Sequence, residues 1–210
     1  MLSLGIAGVL GYLLGSVPTA YLLVRWKSNI DIRTAGSGNV GTLNSYVVTR
    51  SKLVGGAVLF LDVLKGVVIV LFAKMLPESS FAMQATAGIA AIVGHNFPIW
   101  LNFKGGRGLA PAAGVMLALG WIFVAAWGTW WFLGYKVSKN VNVGNAIASI
   151  ATLLLILFSP DVVLARFIQG DVWSGEFRYF ALVLFGIILL RHVEPVADFV
   201  RKKGVDPKKQ

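Results

Sequence analysis

The chain has 210 residues, 57% of them hydrophobic and only 13% charged, with a mean hydropathy of +0.76. A soluble domain carries about twice that charged fraction, so a water-soluble fold is excluded and one polytopic membrane domain of about six to eight spans is expected. The net charge of +10 comes without an aromatic-interleaved basic stretch, which excludes a nucleic-acid binder, and the absence of cysteine excludes disulfides, a thiol nucleophile and thiolate metal sites.

The first apolar run, Leu2 to Val24, is long enough to span a bilayer. It opens on Leu2 and Ser3 with only Met1 ahead, so it lacks the cationic flank of a cleaved signal. Gly11 and Gly15 have the spacing of a close helix–helix contact, and Pro18 is expected to kink the far end. Arg25, Trp26 and Lys27 then mark an interface.

A polar stretch follows, through about Lys52. Its centre is Asp31-Ile32-Arg33-Thr34-Ala35-Gly36-Ser37-Gly38-Asn39-Val40-Gly41. It joins a fixed cation to a glycine-flanked serine and asparagine. With a helix starting near Ser37, free N–H groups and the helix dipole would face an anion. The plain alternative is an ordinary polar loop with a helix cap.

Leu53 to Lys74 is the second span. Asp62 and Lys65 lie three residues apart on one face of it, as an internal ion pair or a ligand contact. Phe81 to about Trp100 is the third, ending in Gly94-His95-Asn96-Phe97-Pro98. The next polar element, Asn102-Phe103-Lys104-Gly105-Gly106-Arg107-Gly108, sets two cations among three glycines, a second anion cradle without P-loop spacing.

Leu109 to Tyr135 would form a helix of about 39 Å if unbroken. Two short helices turning near Leu119–Trp121 are expected instead, because Lys104/Arg107 and Lys136/Lys139 then share one membrane face. Asn142–Phe158 is the next span. Ser159–Gly175 is a mixed outer loop carrying Asp161, Asp171 and Trp173. Gly175–Leu190 returns to Arg191-His192-Val193-Glu194-Pro195.

The fold class expected is therefore all-α, a polytopic membrane protein of about seven transmembrane helices including short ones. Its N-terminus lies outside and its C-terminus inside. Residues 1–200 form one transmembrane catalytic domain and 201–210 a basic cytoplasmic tail. All but four of the 19 Lys and Arg residues fall on the cytoplasmic side in this scheme, the exceptions being Lys65, Lys74, Arg166 and Arg178. No internal repeat is visible, which argues against common transporter architectures.

Four polar motifs thus reach one membrane face: the Arg33 loop, the His95 to Arg107 segment, Lys139 to Asn142, and Arg191-His192 with Glu194. Together they make a basic, glycine-rich site open to cytosol and lipid. It suits phosphate and an acyl chain.

The motifs Asp31-Ile32-Arg33-x-x-Gly36-Ser37-Gly38-Asn39-x-Gly41-x-x-Asn44, Leu61-Asp62-Val63-x-Lys65-Gly66, Gly94-His95-x-Phe97-Pro98, Phe103-Lys104-Gly105-Gly106-x-Gly108 and Arg191-His192-x-Glu194 stand in this order. In them the chain resembles the bacterial acyl-phosphate:glycerol-3-phosphate acyltransferases, from Gly15 to Glu194. The resemblance implies an inner-membrane enzyme that moves a fatty acyl group from acyl phosphate to the 1-hydroxyl of glycerol 3-phosphate. Lysophosphatidic acid and phosphate would be the products, at the first step of phospholipid synthesis.

It implies no metal or other cofactor, and no partner beyond the two substrates and membrane lipids. A monomer is the working expectation.

As catalytic candidates it marks Arg33, Ser37, Asn39, His95, Lys104 and His192. As substrate-binding candidates it marks Gly36, Gly38, Gly41, Asn44, Gly105, Gly106, Arg107, Lys139, Asn142, Arg191 and Glu194. The loop 36–39 would hold acyl phosphate and stabilise the oxyanion, while Arg33 and Lys104 bind phosphate. Gly105 and Gly106 would let backbone approach glycerol 3-phosphate. The general base is open between His95, His192 and the substrate's own phosphate. A covalent acyl-serine at Ser37 is not expected, since no histidine or acid adjoins it in the motif.

Leu43, Arg107, Pro111, Asn142 and Pro195 depart from the family pattern, which has Thr, Lys, Thr, Ser and Asn there. Leu43, Pro111 and Pro195 lose side-chain hydrogen bonds. The alternatives are a relative with another acceptor or low activity, and a lipid-binding membrane protein. An anion transporter would need polar residues through both leaflets, which the fifth and sixth apolar segments lack.

Overall fold

The computed structural model describes residues 2–170 and 172–204. Among them the chain folds into eleven α-helices and no strand. The expected outer-loop residue Asp171 and the tail residues 205–210 lie outside the described residues.

The first apolar run is two helices, α1 (Leu2–Ser16) and α2 (Thr19–Ser28). Pro18 breaks it, having no N–H to donate. The Val17 carbonyl at the break accepts from Thr19 N at 3.0 Å and from Lys65 Nζ at 2.5 Å. The break expected as a kink is therefore a full interruption, and the second helix carries Arg25, Trp26 and Lys27 within it.

A single 3-10 turn, Ile32–Thr34, then leads to α3 (Thr42–Thr49). The expected helix start near Ser37 is thus corrected: Ser37 lies in a turn, and the helix begins five residues later. Positive φ at Gly36 (60°) and Gly38 (71°) bends the chain there, a conformation glycine adopts without strain.

Helix α4 (Lys52–Met75) crosses next, capped by Ser51 Oγ accepting from Val54 N. Helix α5 (Phe81–Asn96) ends earlier than the expected Trp100. Pro98 cannot continue it, and a 3-10 turn at Ile99–Leu101 follows.

The long apolar run divides where expected, into α6 (Leu109–Gly120) and α7 (Ile122–Ser138). Arg107, just before α6, bonds Asn142 at 2.5 Å, in the first turn of α8 (Val141–Phe158), which starts three residues after α7 ends. So α6 leaves and α7 returns to one end of the bundle.

The outer loop carries a short helix, α9 (Asp161–Phe167). Helix α10 (Ser174–Leu190) bends by 44° into α11 (Val193–Gly204). Helix α11 runs across the expected boundary between residues 200 and 201.

Among the described residues three helical stretches are long and apolar enough to cross a membrane: residues 2–28, α4 and α8. The bent α10–α11 pair would be a fourth. Many large apolar side chains point outward along them, including Leu59, Phe60, Leu71 and Leu154. Facing lipid, these are satisfied rather than exposed.

Inside, small residues set the packing. A Cβ added at Gly11 or Gly15 would fall on the α5 carbonyls of Ala87 and Ala91, and one at Gly94 on Tyr12 O. Helices α4 and α6 meet the same way, Gly66 against Pro111 O and Gly114 against Val63 O. These backbone approaches substitute for the hydrophobic drive that lipid removes. The main core draws on α1 and on α4 through α10, while Ala20, Val24, Ile32, Val40, Val54, Val58 and Leu101 form a smaller one under the polar loop.

Candidate functional site

The second core puts Ile32 and Val40, both ends of the polar loop, in apolar surroundings. Between them the loop is tied by one side chain. Asn44, on the first turn of α3 and 3% exposed, accepts from Ser37 N at 3.0 Å. Its amide nitrogen donates to Ala35 O and Asn39 O at 3.0 Å and to Ile32 O at 3.3 Å. A Cβ at Gly36 would strike Asn44 Oδ1. Asn44, Gly36 and Gly41 therefore shape the loop and do not line a cavity.

What the loop presents is Arg33, Ser37, Gly38 and Asn39. They form one wall of a cavity of about 280 Å³. Phe103, Lys104, Gly105 and Arg107 form the second wall, and Arg191, Glu194 and Pro195 the third. Four cations thus face one carboxylate, a field that favours a multiply charged anion.

Each guanidinium is held. Arg33 Nη2 meets Asp31 Oδ2 at 2.6 Å and Nε meets Oδ1 at 3.0 Å, and its carbon lies 5.4 Å from the Tyr21 ring centroid. The Arg33 guanidinium, bonded to Asp31, pulls that carboxyl from 3.8 down to about 2. Arg191 grips Gly106 O with Nε and Nη2 at 3.2 and 3.0 Å, 5.1 Å from the Phe97 ring. Burial, then the neighbouring Arg191, lowers the pKa of Arg107 from its ordinary value, so an anion in the cleft relieves a like-charge contact.

Several candidates do other work than expected. The N–H groups of Gly105 and Gly106 bond Asn96 O and His95 O at 3.2 and 3.0 Å. A Cβ at either would collide with α5, so these glycines serve packing against its C-terminus. The N–H groups of Ser37 and Gly38 are likewise used inside the loop. What the loop offers the cavity is consequently side chains, those of Ser37 and Asn39 beside the cations.

Neither histidine lines the cavity. His192, 1% exposed, has Nδ1 at 2.8 Å from Ile188 O and Nε2 at 3.2 Å from Asn145 Nδ2, so both ring nitrogens are engaged. His95 lies behind Gly106. Asn142 reaches the site only by holding Arg107, and Lys139, exposed at the end of α7, is not in the cavity wall.

Asp31, Tyr21 and Phe97 went unmarked as site residues. Asp31 was legible, since a carboxylate two residues before an arginine can close such a clamp, but the rings are brought in from distant segments.

An apolar groove of about 190 Å³ runs between α6, α7 and α10, lined by Leu109, Ala113, Met116, Trp127, Leu184 and Ile188 among others. Leu109 stands two residues from Arg107, and Ile188 three from Arg191, so the groove starts beside the cationic cleft.

A family model described as glycerol-3-phosphate acyltransferase matches residues 5–202. A glycerol-3-phosphate acyltransferase of Caulobacter vibrioides is 39% identical over 208 residues, covering 99% of this chain and 88% of the relative. One of Zymomonas mobilis is 37% identical over 158 residues, covering 72% of this chain and 74% of the relative. The crystal structure of PlsY (YgiH), an integral membrane glycerol 3-phosphate acyltransferase in its glycerol 3-phosphate form, is similar at a TM-score of 0.79 and 28% identity. That similarity covers 95% of this chain and 93% of PlsY.

Proposed function

The chain belongs to the glycerol-3-phosphate acyltransferase family, and on that premise we propose that it moves a fatty acyl group from acyl phosphate to the 1-hydroxyl of glycerol 3-phosphate. The products are lysophosphatidic acid and inorganic phosphate. One observation carries the reading: a cleft walled by Arg33, Lys104, Arg107 and Arg191 opens beside an apolar groove. That pairing suits a phosphate joined to an acyl chain. A PlsY crystal structure in its lysophosphatidic acid form, 27% identical with a TM-score of 0.78, supports the product.

The step is attack of the glycerol hydroxyl oxygen on the acyl carbonyl carbon. A C–O bond forms, the hydroxyl proton leaves, and the carbonyl–phosphate C–O bond breaks with phosphate taking the electron pair. Ser37 Oγ and the Asn39 amide donate to the transient oxyanion, and the cations hold both phosphates. Phosphate is a good leaving group, so positioning carries most of the barrier reduction and no cofactor is needed. With both nitrogens of His192 engaged and His95 behind Gly106, a substrate phosphate is the favoured proton acceptor. Glu194 faces the same cleft and suits a glycerol hydroxyl.

The cleft lies on the cytoplasmic side of a bacterial inner membrane. The chain crosses seven times, N-terminus outside and C-terminus inside. Helix α6, about 18 Å long, is one of the short crossings. The bias of Lys and Arg toward the cleft end supports this orientation.

The second reading is a different acceptor. Pro195 favours it, because it lines the cleft with no side-chain donor where the resemblance expects an amide. Leu43 is 53% exposed away from the cleft, and Pro111 is buried against Gly66, so neither departure touches substrate.

Purified protein in lipid, given palmitoyl phosphate and labelled glycerol 3-phosphate, should release phosphate and form lysophosphatidate. Turnover no greater than that of Arg33→Ala would overturn the proposal.

A further inference from the structure

The cleft's role leaves a buried charged cluster on α4 unused. Asp62 and Lys65, in the middle of α4, are 1% and 6% exposed. Lys65 Nζ meets Asp62 Oδ1 at 2.8 Å and Val17 O at 2.5 Å. The Thr19 hydroxyl donates to the same Asp62 oxygen. The second oxygen, Oδ2, is buried without a partner.

A buried ion pair is a poor source of stability, since desolvation consumes most of its attraction. A buried carboxylate oxygen with no partner adds further cost. Lys65 serves the α1–α2 break through Val17 O, but that contact does not account for a buried carboxylate with one oxygen left unpartnered.

The contacts of that carboxylate supply an account. Asp62 Oδ1 stands 3.7 Å from His95 Nδ1, which places the α4 carboxylate against the imidazole at the end of α5. The opposite nitrogen, Nε2, packs on Gly106 so closely that a Cβ there would fall on it. Gly106 N bonds His95 O at 3.0 Å, and Gly106 O takes both Arg191 contacts. Gly106 is therefore pinned from below by His95 and from above holds the cleft's guanidinium.

We infer that the Asp62–Lys65 pair is a positioning device for the phosphate cleft, setting the Arg191 guanidinium by way of His95 and Gly106. The inference rests on the phosphate-binding reading of the cleft. Its readout does not depend on acyl transfer.

The test is the concentration of inorganic phosphate that half-maximally raises the unfolding temperature of the purified full chain in detergent. Asp62→Asn alone leaves a buried unpaired lysine and can misfold. The variants are therefore D62N/K65M, which neutralises both partners, and Asp62→Glu, which keeps the charge but shifts it by one methylene. Each should unfold near the wild-type temperature without phosphate. Each should need roughly ten- to a hundredfold more phosphate, the scale of one lost charge-assisted hydrogen bond.

In an Arg191→Ala background the same changes should have no further effect, because the group they position is gone. A folded D62N/K65M or D62E protein with wild-type phosphate affinity overturns the inference. So does a loss of equal size with and without Arg191. Turnover is followed on the same samples, so a protein that binds phosphate yet transfers no acyl group fails the acyltransferase reading alone.

Discussion

Replacing Asn44 by alanine isolates the side chain that ties together the loop from Ile32 to Val40. Its amide accepts one backbone N–H, that of Ser37, and shares two hydrogens among the carbonyls of Ile32, Ala35 and Asn39. Those three carbonyls also accept from Ala35 N, Gly38 N and Gly41 N, so they keep a partner in the variant. The Ser37 N–H keeps none.

Three hydrogen bonds of about 1 kcal/mol each give about 3 kcal/mol held in the ordered loop. At about 1.4 kcal/mol per factor of ten, the ordered population falls by up to about a hundredfold. Turnover of palmitoyl phosphate at low glycerol 3-phosphate should fall by a similar factor. The unfolding temperature should drop by only a few degrees, because the loop is separate from the main core.

Limited trypsin digestion reports the loop directly, since Arg33 is then freed for cleavage. Turnover within twofold of wild type, with unchanged cleavage after Arg33, would show that Asn44 does not organise the site. Asn44→Asp keeps the acceptor for Ser37 N but loses the donors, and should fall between the two.

The Asp31–Arg33 clamp carries a pH signature. Asp31 titrates at about 2 in the fold against an ordinary 3.8, so its contribution is present above that ordinary value and is lost as pH falls through about 2. The difference in unfolding temperature between wild type and Asp31→Asn should shrink over that window and stay constant above it. Gly114→Ala should separate α4 from α6, because its Cβ meets Val63 O, and should lower the unfolding temperature sharply. Gly128→Ala, with nothing within 4 Å of its Cβ, should be neutral or stabilising by roughly 0.5–1 kcal/mol. Ala113→Phe should fill much of the 190 Å³ groove and raise KM for long-chain acyl phosphates more than for short ones. Equal changes for both chain lengths would remove the groove from the acyl-binding site.

Composition and patterning alone determined the all-helical membrane class, the break of the long apolar run near Gly120, and the close approach at Gly11 and Gly15. These are local consequences of hydropathy, proline and side-chain size, and they need no knowledge of partners. The Asp31–Gly41 stretch was legible as a candidate anion site for the same reason, since its cation and small residues are contiguous.

What each residue in that site does was decided by the tertiary structure. Ser37 opens no helix, because Asn44 and the glycines fold the loop back before α3 begins. Gly105 and Gly106 are glycines because α5 presses on them, and His192 is sealed by Asn145 and Ile188. Asn44 looked like a ligand contact and is a scaffold. Sequence spacing reports which chemistry is available near one membrane face. Whether a group faces the cleft or is consumed holding it depends on partners distant in the chain, and only packing brings those together.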